Sequence, residues 1–315
     1  MCRAHQGLIQ WRPSCSLDSL VERARVLGVI RDFFREKNVL EVQTSVLARY
    51  GATEPTLASF RTDSGHHLQT SPEFQMKRLL AAGAPSIYQI CPAFRQGEEG
   101  RNHNPEFVIL EWYRLGFNSR QLILEVAELV DLILGGDDYH YRTTGQLLRT
   151  EFGFDVHGDS DLKVAELARE QGLDNVVGRS DGVDFLMASA LQRLPFERVF
   201  ITEFPVDQAA LAKTKHLGKD VVADRFELII RGIEVANGYH ELTDADELER
   251  RMDVDNRERR ELGLPTLARD PFLLASMRQG LPACAGVAVG LDRLLALAGD
   301  HESLSSVMAF PFDRV

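Results

Sequence analysis

Cysteine is scarce in this sequence, and its spacing carries no site signature. The four cysteines, Cys2, Cys15, Cys91 and Cys284, are scattered over 315 residues without a Cys-x-x-Cys pair. Zinc sites and the disulfide frameworks of small secreted domains are recognised by closely spaced cysteines. The spacing indicates neither class and predicts reduced thiols in a cytoplasmic protein.

Long apolar runs and an excess of basic residues are also missing. No segment approaches the ~20 consecutive apolar residues of a membrane span, and residues 1–13 lack the apolar centre of a secretory signal. Lys and Arg number 36 against 47 Asp and Glu, which gives a formal net charge of −11. Because nucleic-acid binding usually draws on a basic surface, neither a membrane nor a nucleic-acid partner is expected.

The periodicity of the apolar residues predicts the elements of the fold. Helical periods cover 17–37, 120–134 and the segment from Leu291, and a capping hydroxyl before Pro72 predicts a further helix that ends near Gly83. Alternating or continuously apolar segments predict strands at 39–44, 106–115, 198–203, 225–230, 233–237 and 286–289. Residues 143–193 are typical of short helices and loops.

Strands separated by long helical insertions predict an α+β fold, a mainly antiparallel sheet flanked by helices. No repeat and no linker divides the sequence. We therefore expect one domain over 1–315, with residues 1–15 as an N-terminal extension.

A polar loop between two apolar strands, residues 94–107, contains the first candidate site. Arg95 comes at the end of a strand, where its planar fork suits a phosphate or a carboxylate. A structural ion pair with Glu98, Glu99 or Glu106 explains the arginine equally well. Both interpretations stay open at this point.

In the strand that follows, Phe107, Ile109, Glu111 and Tyr113 share one face because strand side chains alternate. A buried Glu111 needs a partner. A ligand ammonium would serve, and so would an internal Lys or Arg.

Two further segments carry candidate residues. A hairpin turn at 231–232 would bring Glu227 and Glu234 together, which suits a magnesium ion bridging to phosphates, unless the carboxylates face solvent. Gly286, Ala288 and Gly290 alternate along the last strand and leave room for a ligand, or for close sheet packing.

Taken together, these segments resemble the class II aminoacyl-tRNA synthetase core, with motif 2 opening at Phe94-Arg95 and motif 3 ending at 290–293, GLDR. The segments TSPE, HNPEF, GIEVANGYHEL and GVAVGLDR are similar to the lysyl-tRNA synthetase branch. The sequence from about Ser16 to Val315 resembles most the short paralogue of that branch, the elongation factor P–lysine ligase family.

The resemblance implies ATP and Mg2+ as cofactors and a role for each candidate residue. Arg95 and Arg293 are the implied catalytic residues, which hold the phosphates of ATP. Further implied ATP contacts are Glu98, His103, Asn104, Phe107, Glu234, Val235 and Gly290. Implied contacts of the amino acid substrate are Ser71, Glu73, Glu111, Tyr113, Asn237, Glu241 and Ala288. Glu227 and Glu234 are the implied magnesium ligands.

Two features favour the ligase over a synthetase. The helix at 17–37 leaves no room for an anticodon-binding domain, and Ala288 stands where lysyl-tRNA synthetases carry glycine, a change associated in the ligase with accepting β-lysine. The expected reaction is activation of (R)-β-lysine or lysine as the adenylate, followed by transfer to a lysine side chain of elongation factor P, the acceptor. The alternatives are a minimal lysyl-tRNA synthetase and a non-catalytic paralogue that binds an amino acid.

The chain departs from the family pattern at a few positions. Ser45 replaces a proline of motif 1, the motif that contributes to the expected homodimer. Gly97 replaces a glutamate of motif 2, so Glu98 is expected to make the adenine contact. The loop at 51–60 is only loosely similar.

Overall fold

The computed structural model describes residues 11–176 and 178–315. The first ten residues of the expected N-terminal extension, with Cys2, lie outside the described residues. The helices are α1 (Leu17–Glu36), α2 (Glu73–Ala81), α3 (Ser119–Leu134), α4 (Thr144–Phe152), α5 (Asp161–Glu170), α6 (Gly178–Leu191), α7 (Ala245–Glu261), α8 (Pro271–Gly280) and α9 (Leu291–Ala298). The strands are β1 (Leu40–Glu41), β2 (Leu47–Ala48), β3 (His67–Leu68), β4 (Ile87–Phe94), β5 (Glu106–Leu115), β6 (His140–Thr143), β7 (Arg198–Pro205), β8 (Thr214–Leu217), β9 (Asp220–Ile230), β10 (Ile233–His240) and β11 (Cys284–Gly290).

One large sheet organises the fold. Its strand order is β1-β4-β5-β11-β10-β9-β7-β6, with β8 paired to β9, while β2 and β3 form a separate small sheet. The β1–β4 and β6–β7 pairs are parallel, and the other pairs of the large sheet are antiparallel. The predicted α+β architecture with a mainly antiparallel sheet is confirmed.

The main core lies on one face of this sheet. Helix α1 buries Ile30 and Phe34 there, and the Phe34 ring stacks on Tyr88 of β4 with the ring centroids 4.3 Å apart. Trp112 and Phe226, which alternate with the residues of the other face, belong to the same buried cluster. Because helices α1, α3 and α9 cover this face, the opposite face of the central strands is left to form a site.

The middle of the chain forms a second core. Residues 140–217 contain α4, α5, α6 and the strands at one edge of the sheet, and they bury Leu148, Phe154, Val164 and Leu186 among others. The short helices predicted for 143–193 are confirmed.

One predicted strand is much shorter than expected. Residues 39–44 form a strand only at Leu40–Glu41. The Val42 N–H still donates to the Tyr88 carbonyl at 2.9 Å, but the Thr44 and Ser45 N–H groups donate to glutamine side chains at 2.9 Å. The sequence alternates as a strand does, but the backbone hydrogen bonds to β4 end before Thr44.

Among the described residues, no helix combines the length and the apolar character that crossing a membrane requires.

Candidate active site

The hairpin predicted between Glu227 and Glu234 is present. Arg231 and Gly232, with φ of 50° and 74°, form the turn between β9 and β10, as expected for a two-residue hairpin loop with both residues in the left-handed region. The register places Glu227 opposite Asn237 and Glu234 opposite Ile229, with an irregularity after Glu234. The two carboxylates are therefore near each other without being directly paired.

A cavity of about 820 Å3 opens on the uncovered face of the sheet. Two rows of paired residues, read across β5, β11, β10 and β9, form its floor: Glu111, Ala288, Asn237 and Glu227 in one row, and Tyr113, Gly286, Tyr239 and Arg225 in the next. Directly paired residues point to the same face, so both rows face the cavity. All the site residues predicted from the sequence line it.

The glycine at 286 makes room for protein side chains, not for a ligand. A Cβ atom at Gly286 would overlap Oε1 of Glu241 and the ring of Tyr113. Of the two explanations that the sequence left open for this glycine, close packing applies. Ala288, by contrast, is only partly buried and lines the cavity.

One end of the cavity is acidic. Glu111 is 2% exposed and accepts hydrogen bonds from the Ser71 hydroxyl at 2.7 Å and the Tyr113 hydroxyl at 2.6 Å. Burial and the nearby Glu73 raise the pKa of Glu111 to about 7. Within the described part of the chain, no Lys or Arg forms an ion pair with Glu111, although the charge of Lys77 opposes the rise of its pKa.

A buried lysine joins two other carboxylates at this end. Lys77 Nζ donates to Glu73 Oε1 at 2.7 Å and lies 2.6 Å from Glu241 Oε2, and the lysine side chain is 1% exposed. Burial raises the pKa of Glu241 to about 8, an effect that Lys77 opposes. Although burial disfavours its charge, Glu241 and Glu73 hold the pKa of Lys77 above its ordinary value.

The other end of the cavity is cationic. The Arg95 guanidinium lies 5.1 Å from the Phe107 ring centroid and its Nη1 is 3.5 Å from Glu98 Oε1. Arg95 Nε is buried and has no hydrogen-bond partner among the described residues. A single long contact with Glu98 leaves most of this arginine's donors free for an anion.

Arg293, in the first turn of α9, joins the Arg95 loop to β10. Its Nη1 donates to the Glu234 carbonyl at 2.8 Å, and its Nε donates to the Asn102 carbonyl at 3.2 Å. The Glu234 carboxylate is 3.6 Å from the same Nη1. Burial and the charge of Arg293 lower the pKa of His103, so the imidazole beside this arginine is predominantly neutral at neutral pH.

The remaining residues predicted to contact the nucleotide differ in burial and in the hydrogen bonds they already form within the protein. The Asn104 side chain is used by the protein, because its amide donates to the Glu106 carbonyl and accepts from Phe312 N at 2.9 Å. Val235 is 2% exposed, and Gly290 is the N-cap residue of α9. Asn104 therefore fixes the loop that carries Arg95 to the C-terminal segment.

Residues of this site that were not found from the sequence include Arg225, Asp292 and Lys77. Arg225 Nη2 donates to Glu227 Oε1 at 2.5 Å, and its Nε donates to Asn237 Oδ1 at 3.2 Å. Asp292 accepts from Val108 N at 2.7 Å, which links α9 to β5, and it forms an ion pair with Arg23 of α1. Lys77 lies four residues after Glu73, a helical spacing that could have revealed their contact.

The carboxylates of Glu227 and Glu234 fit a divalent cation only in part. Burial, opposed by Arg225 and supported by Glu234, raises the pKa of Glu227 to about 7. Over the described ranges, no group of three or more His, Cys, Asp or Glu residues is close enough to hold a metal ion. A magnesium ion here would need oxygen atoms from phosphate and water, a set that Mg2+ commonly takes.

Known proteins resemble this chain over nearly its whole length. Residues 2–314 match the family described as tRNA synthetases class II (D, K and N). The elongation factor P–(R)-β-lysine ligase of Haemophilus ducreyi is 39% identical over 319 residues, which cover 97% of this chain and 97% of the relative. The proteins of the same name from Vibrio vulnificus and Vibrio cholerae are each 40% identical over 320 residues, covering 96% of this chain and 98% of the relative. The chain therefore belongs to the class II tRNA synthetases, and within them to the family of elongation factor P–(R)-β-lysine ligases.

Proposed function

We propose that this protein activates (R)-β-lysine or lysine with ATP and transfers the aminoacyl group to a lysine side chain of elongation factor P. The charge balance of the acidic end carries the proposal. Glu73, Glu111 and Glu241 share that region with one ammonium group, Lys77. When ionised, the three carboxylates leave two negative charges in excess, and buried net charge is costly until it is neutralised. Lysine and β-lysine each bring two ammonium groups.

The substrate residues are proposed with the roles that the resemblance implied. Glu73 binds the amino group near the reacting carboxylate, Asn237 binds the carboxylate, and Glu111, Tyr113 and Glu241 bind the distant ammonium. Ser71 supports Glu111 through its hydrogen bond of 2.7 Å. The register supports this arrangement, because Ala288 is paired with Glu111 on one side and Asn237 on the other.

Ala288 is proposed to select between the two amino acids. Its methyl group lies between the strand positions assigned to the two ends of the substrate. In β-lysine the amino group is attached one carbon further from the carboxylate, so the two substrates need different space at this point. One methyl group in a pocket is worth about 1–3 kcal/mol of discrimination.

ATP is proposed to bind at the cationic end. The adenine ring stacks on Phe107 beside His103, Asn104 and Glu98, the α-phosphate lies at Arg95, and the γ-phosphate lies at Arg293, with Val235 and Gly290 lining the nucleotide site. A substrate carboxylate oxygen attacks the α-phosphorus and pyrophosphate leaves. The carboxylate is already ionised, so this step needs no protein base, and arginine charge with correct positioning stabilises the transition state. Glu227 and Glu234 would hold Mg2+, which neutralises phosphate charge when it is bound.

Two alternatives use the same cavity. A minimal lysyl-tRNA synthetase would share the adenylation step and differ in its acceptor, and the net charge of −11 supports a protein acceptor over tRNA. A non-catalytic amino-acid-binding paralogue is less well supported, because Arg95, Arg293, Glu227 and Glu234 all line the cavity. Homodimerisation stays a prediction from the family.

Amino-acid-dependent ATP–pyrophosphate exchange tests the first half of the proposal. We expect exchange with lysine and with (R)-β-lysine, and background exchange with norleucine and arginine. Norleucine lacks the second ammonium group, and the arginine side chain is longer with a planar head group. Exchange that is as fast with norleucine as with lysine would contradict the assignment of the acidic end.

A further inference from the structure

Glu54 belongs to the cavity wall but has none of the contacts made by the buried glutamates there. It lies in the loop of residues 51–60 between β2 and β3, and it lines the cavity. Glu111, Glu227 and Glu241 all have a hydroxyl, guanidinium or ammonium partner. The carboxylate of Glu54 forms no hydrogen bond and no ion pair with any residue that the structure describes.

The backbone at this position is nevertheless held firmly. Arg259 of α7 donates from Nη1 to the Glu54 carbonyl at 3.2 Å. The preceding residue, Thr53, is 4% exposed and donates its hydroxyl to Asp255 of the same helix at 2.6 Å. The loop is thus fixed to α7, while the carboxylate that it carries stays free to act on a ligand.

Four charged residues influence Glu54. Glu73 of α2 and Asp255 of α7 repel its negative charge, while Arg225 of β9 and Arg95 after β4 attract it. Burial, together with the two acids, raises the pKa of Glu54 to about 7. The residue therefore shares the cavity with Glu73 and Arg95, the groups proposed for the substrate amine and for the α-phosphate, and is influenced by both charges. It can exchange a proton near neutral pH.

The transfer step requires such a group. An acceptor lysine has an ordinary pKa near 10.4, so at neutral pH it is an ammonium ion without a free electron pair. A tRNA hydroxyl does not carry this extra proton. Arg95, Arg293 and Lys77 are cations and cannot take it. The carboxylates of Glu111, Glu227 and Glu241 already have partners in the protein and are assigned above to the substrate ammonium or to Mg2+.

We propose that Glu54 is the general base of the transfer step, the residue that takes a proton from the acceptor amine before it attacks the adenylate. This inference rests on the proposed function. The acceptor ammonium gives one proton to the Glu54 carboxylate, which passes it to water at the mouth of the cavity. The freed electron pair forms the bond from nitrogen to the acyl carbon, and the bond from that carbon to the phosphate oxygen breaks. The second proton of the nitrogen goes to the phosphate of the departing AMP, which leaves a neutral amide.

The test compares Glu54→Gln with Glu258→Gln under single-turnover conditions. Glu258 is an exposed acid of α7 at the rim of the same cavity, so it controls for the loss of one negative charge. Adenylate is formed first from ATP and (R)-β-lysine, and then either elongation factor P or hydroxylamine is added. Hydroxylamine is mostly unprotonated at neutral pH and needs no base.

We expect Glu54→Gln to slow transfer to elongation factor P about 100-fold, a typical contribution of a general base. Discharge by hydroxylamine should slow far less, and so should ATP–pyrophosphate exchange. The transfer rate of the unsubstituted protein should level off above the pKa of Glu54, about 7, whereas the rate of Glu54→Gln should keep rising with pH as the amine loses its own proton.

Three results would overturn the inference. Transfer by Glu54→Gln as fast as by Glu258→Gln would exclude Glu54 as the general base. Equal slowing of adenylate discharge by hydroxylamine and of transfer to elongation factor P would indicate a structural role. Lack of lysine-dependent exchange in the unsubstituted protein would overturn the proposed function as well, and this distinguishes the two failures.

Discussion

Replacing Lys77 by methionine tests the electrostatics of the acidic end most severely. The substitution keeps an unbranched side chain of similar length and removes the ammonium that bonds Glu73 at 2.7 Å and Glu241 at 2.6 Å. Lys77 is 1% exposed, so water cannot take the place of the ammonium. Removing one partner of a buried ion pair costs about 3–5 kcal/mol of the free energy of unfolding.

The sign of the pH dependence follows from the carboxylates. The pKa of Glu241 is raised in the folded protein from its ordinary value of 4.5 to about 8. A carboxyl group with a raised folded pKa destabilises the fold only where it must ionise, so the loss is absent below the unfolded pKa and grows as pH rises through the folded pKa. Without Lys77, we expect this loss to be larger and to extend to higher pH.

Urea denaturation of both proteins at about pH 5.5 and about pH 8.5 measures the effect. Lys77→Met should lose most of the ~3–5 kcal/mol at the higher pH and clearly less at the lower pH. The double variant Lys77→Met, Glu241→Gln should regain part of the stability at the higher pH, since it removes one of the two unpaired charges. An equal loss of stability at both pH values would mean that Lys77 stabilises the fold by packing and not by its charge.

Three further predictions concern activity and binding. Arg95→Ala should abolish ATP–pyrophosphate exchange with an unchanged circular dichroism spectrum, because it removes the largely free guanidinium of the cationic end; normal exchange would exclude Arg95 from the α-phosphate site. Ala288→Gly should shift the ratio of kcat/KM toward lysine and away from (R)-β-lysine by about tenfold or more, and an unchanged ratio would refute the pocket assignment. Lysine binding should strengthen from about pH 6 to about pH 8 and release protons, because the ammonium groups of lysine favour the ionised forms of Glu111 and Glu241. Titration calorimetry in two buffers of different ionisation enthalpy measures the number of protons released. Proton uptake on binding would contradict the prediction.

Local patterns predicted most of the helices and strands of this fold. The helix at 17–37, the strand at 106–115 and the hairpin turn at 231–232 each have a strong periodic or turn signal, and each forms with close to the expected bounds. The segment at 39–44 has the same alternation, yet its strand ends at Glu41, and beyond Val42 glutamine side chains accept from the N–H groups of Thr44 and Ser45. Those glutamines come from other elements, and sequence spacing does not reveal them.

The site was predictable as a set of residues but not as a set of contacts. The motifs identified Glu111, Glu227 and Asn237, which face one cavity. Their contacts across strands could not be inferred in the same way, because Arg225 Nε reaches Asn237 from the paired strand and the Tyr113 ring fills the space beside Gly286. Register and packing decide these contacts, and both depend on residues far apart in the chain.

The most direct test of the proposed function is a competition between two acceptors. The purified protein is incubated with ATP, Mg2+ and (R)-β-lysine or lysine, with elongation factor P and bulk tRNA present together. Intact-mass analysis then follows the protein acceptor, and acid precipitation with ribonuclease treatment follows tRNA. We predict a mass increase of elongation factor P by one β-lysyl or lysyl group, larger with (R)-β-lysine, while tRNA stays uncharged; charging of tRNA with elongation factor P unmodified would contradict the account and indicate a minimal synthetase.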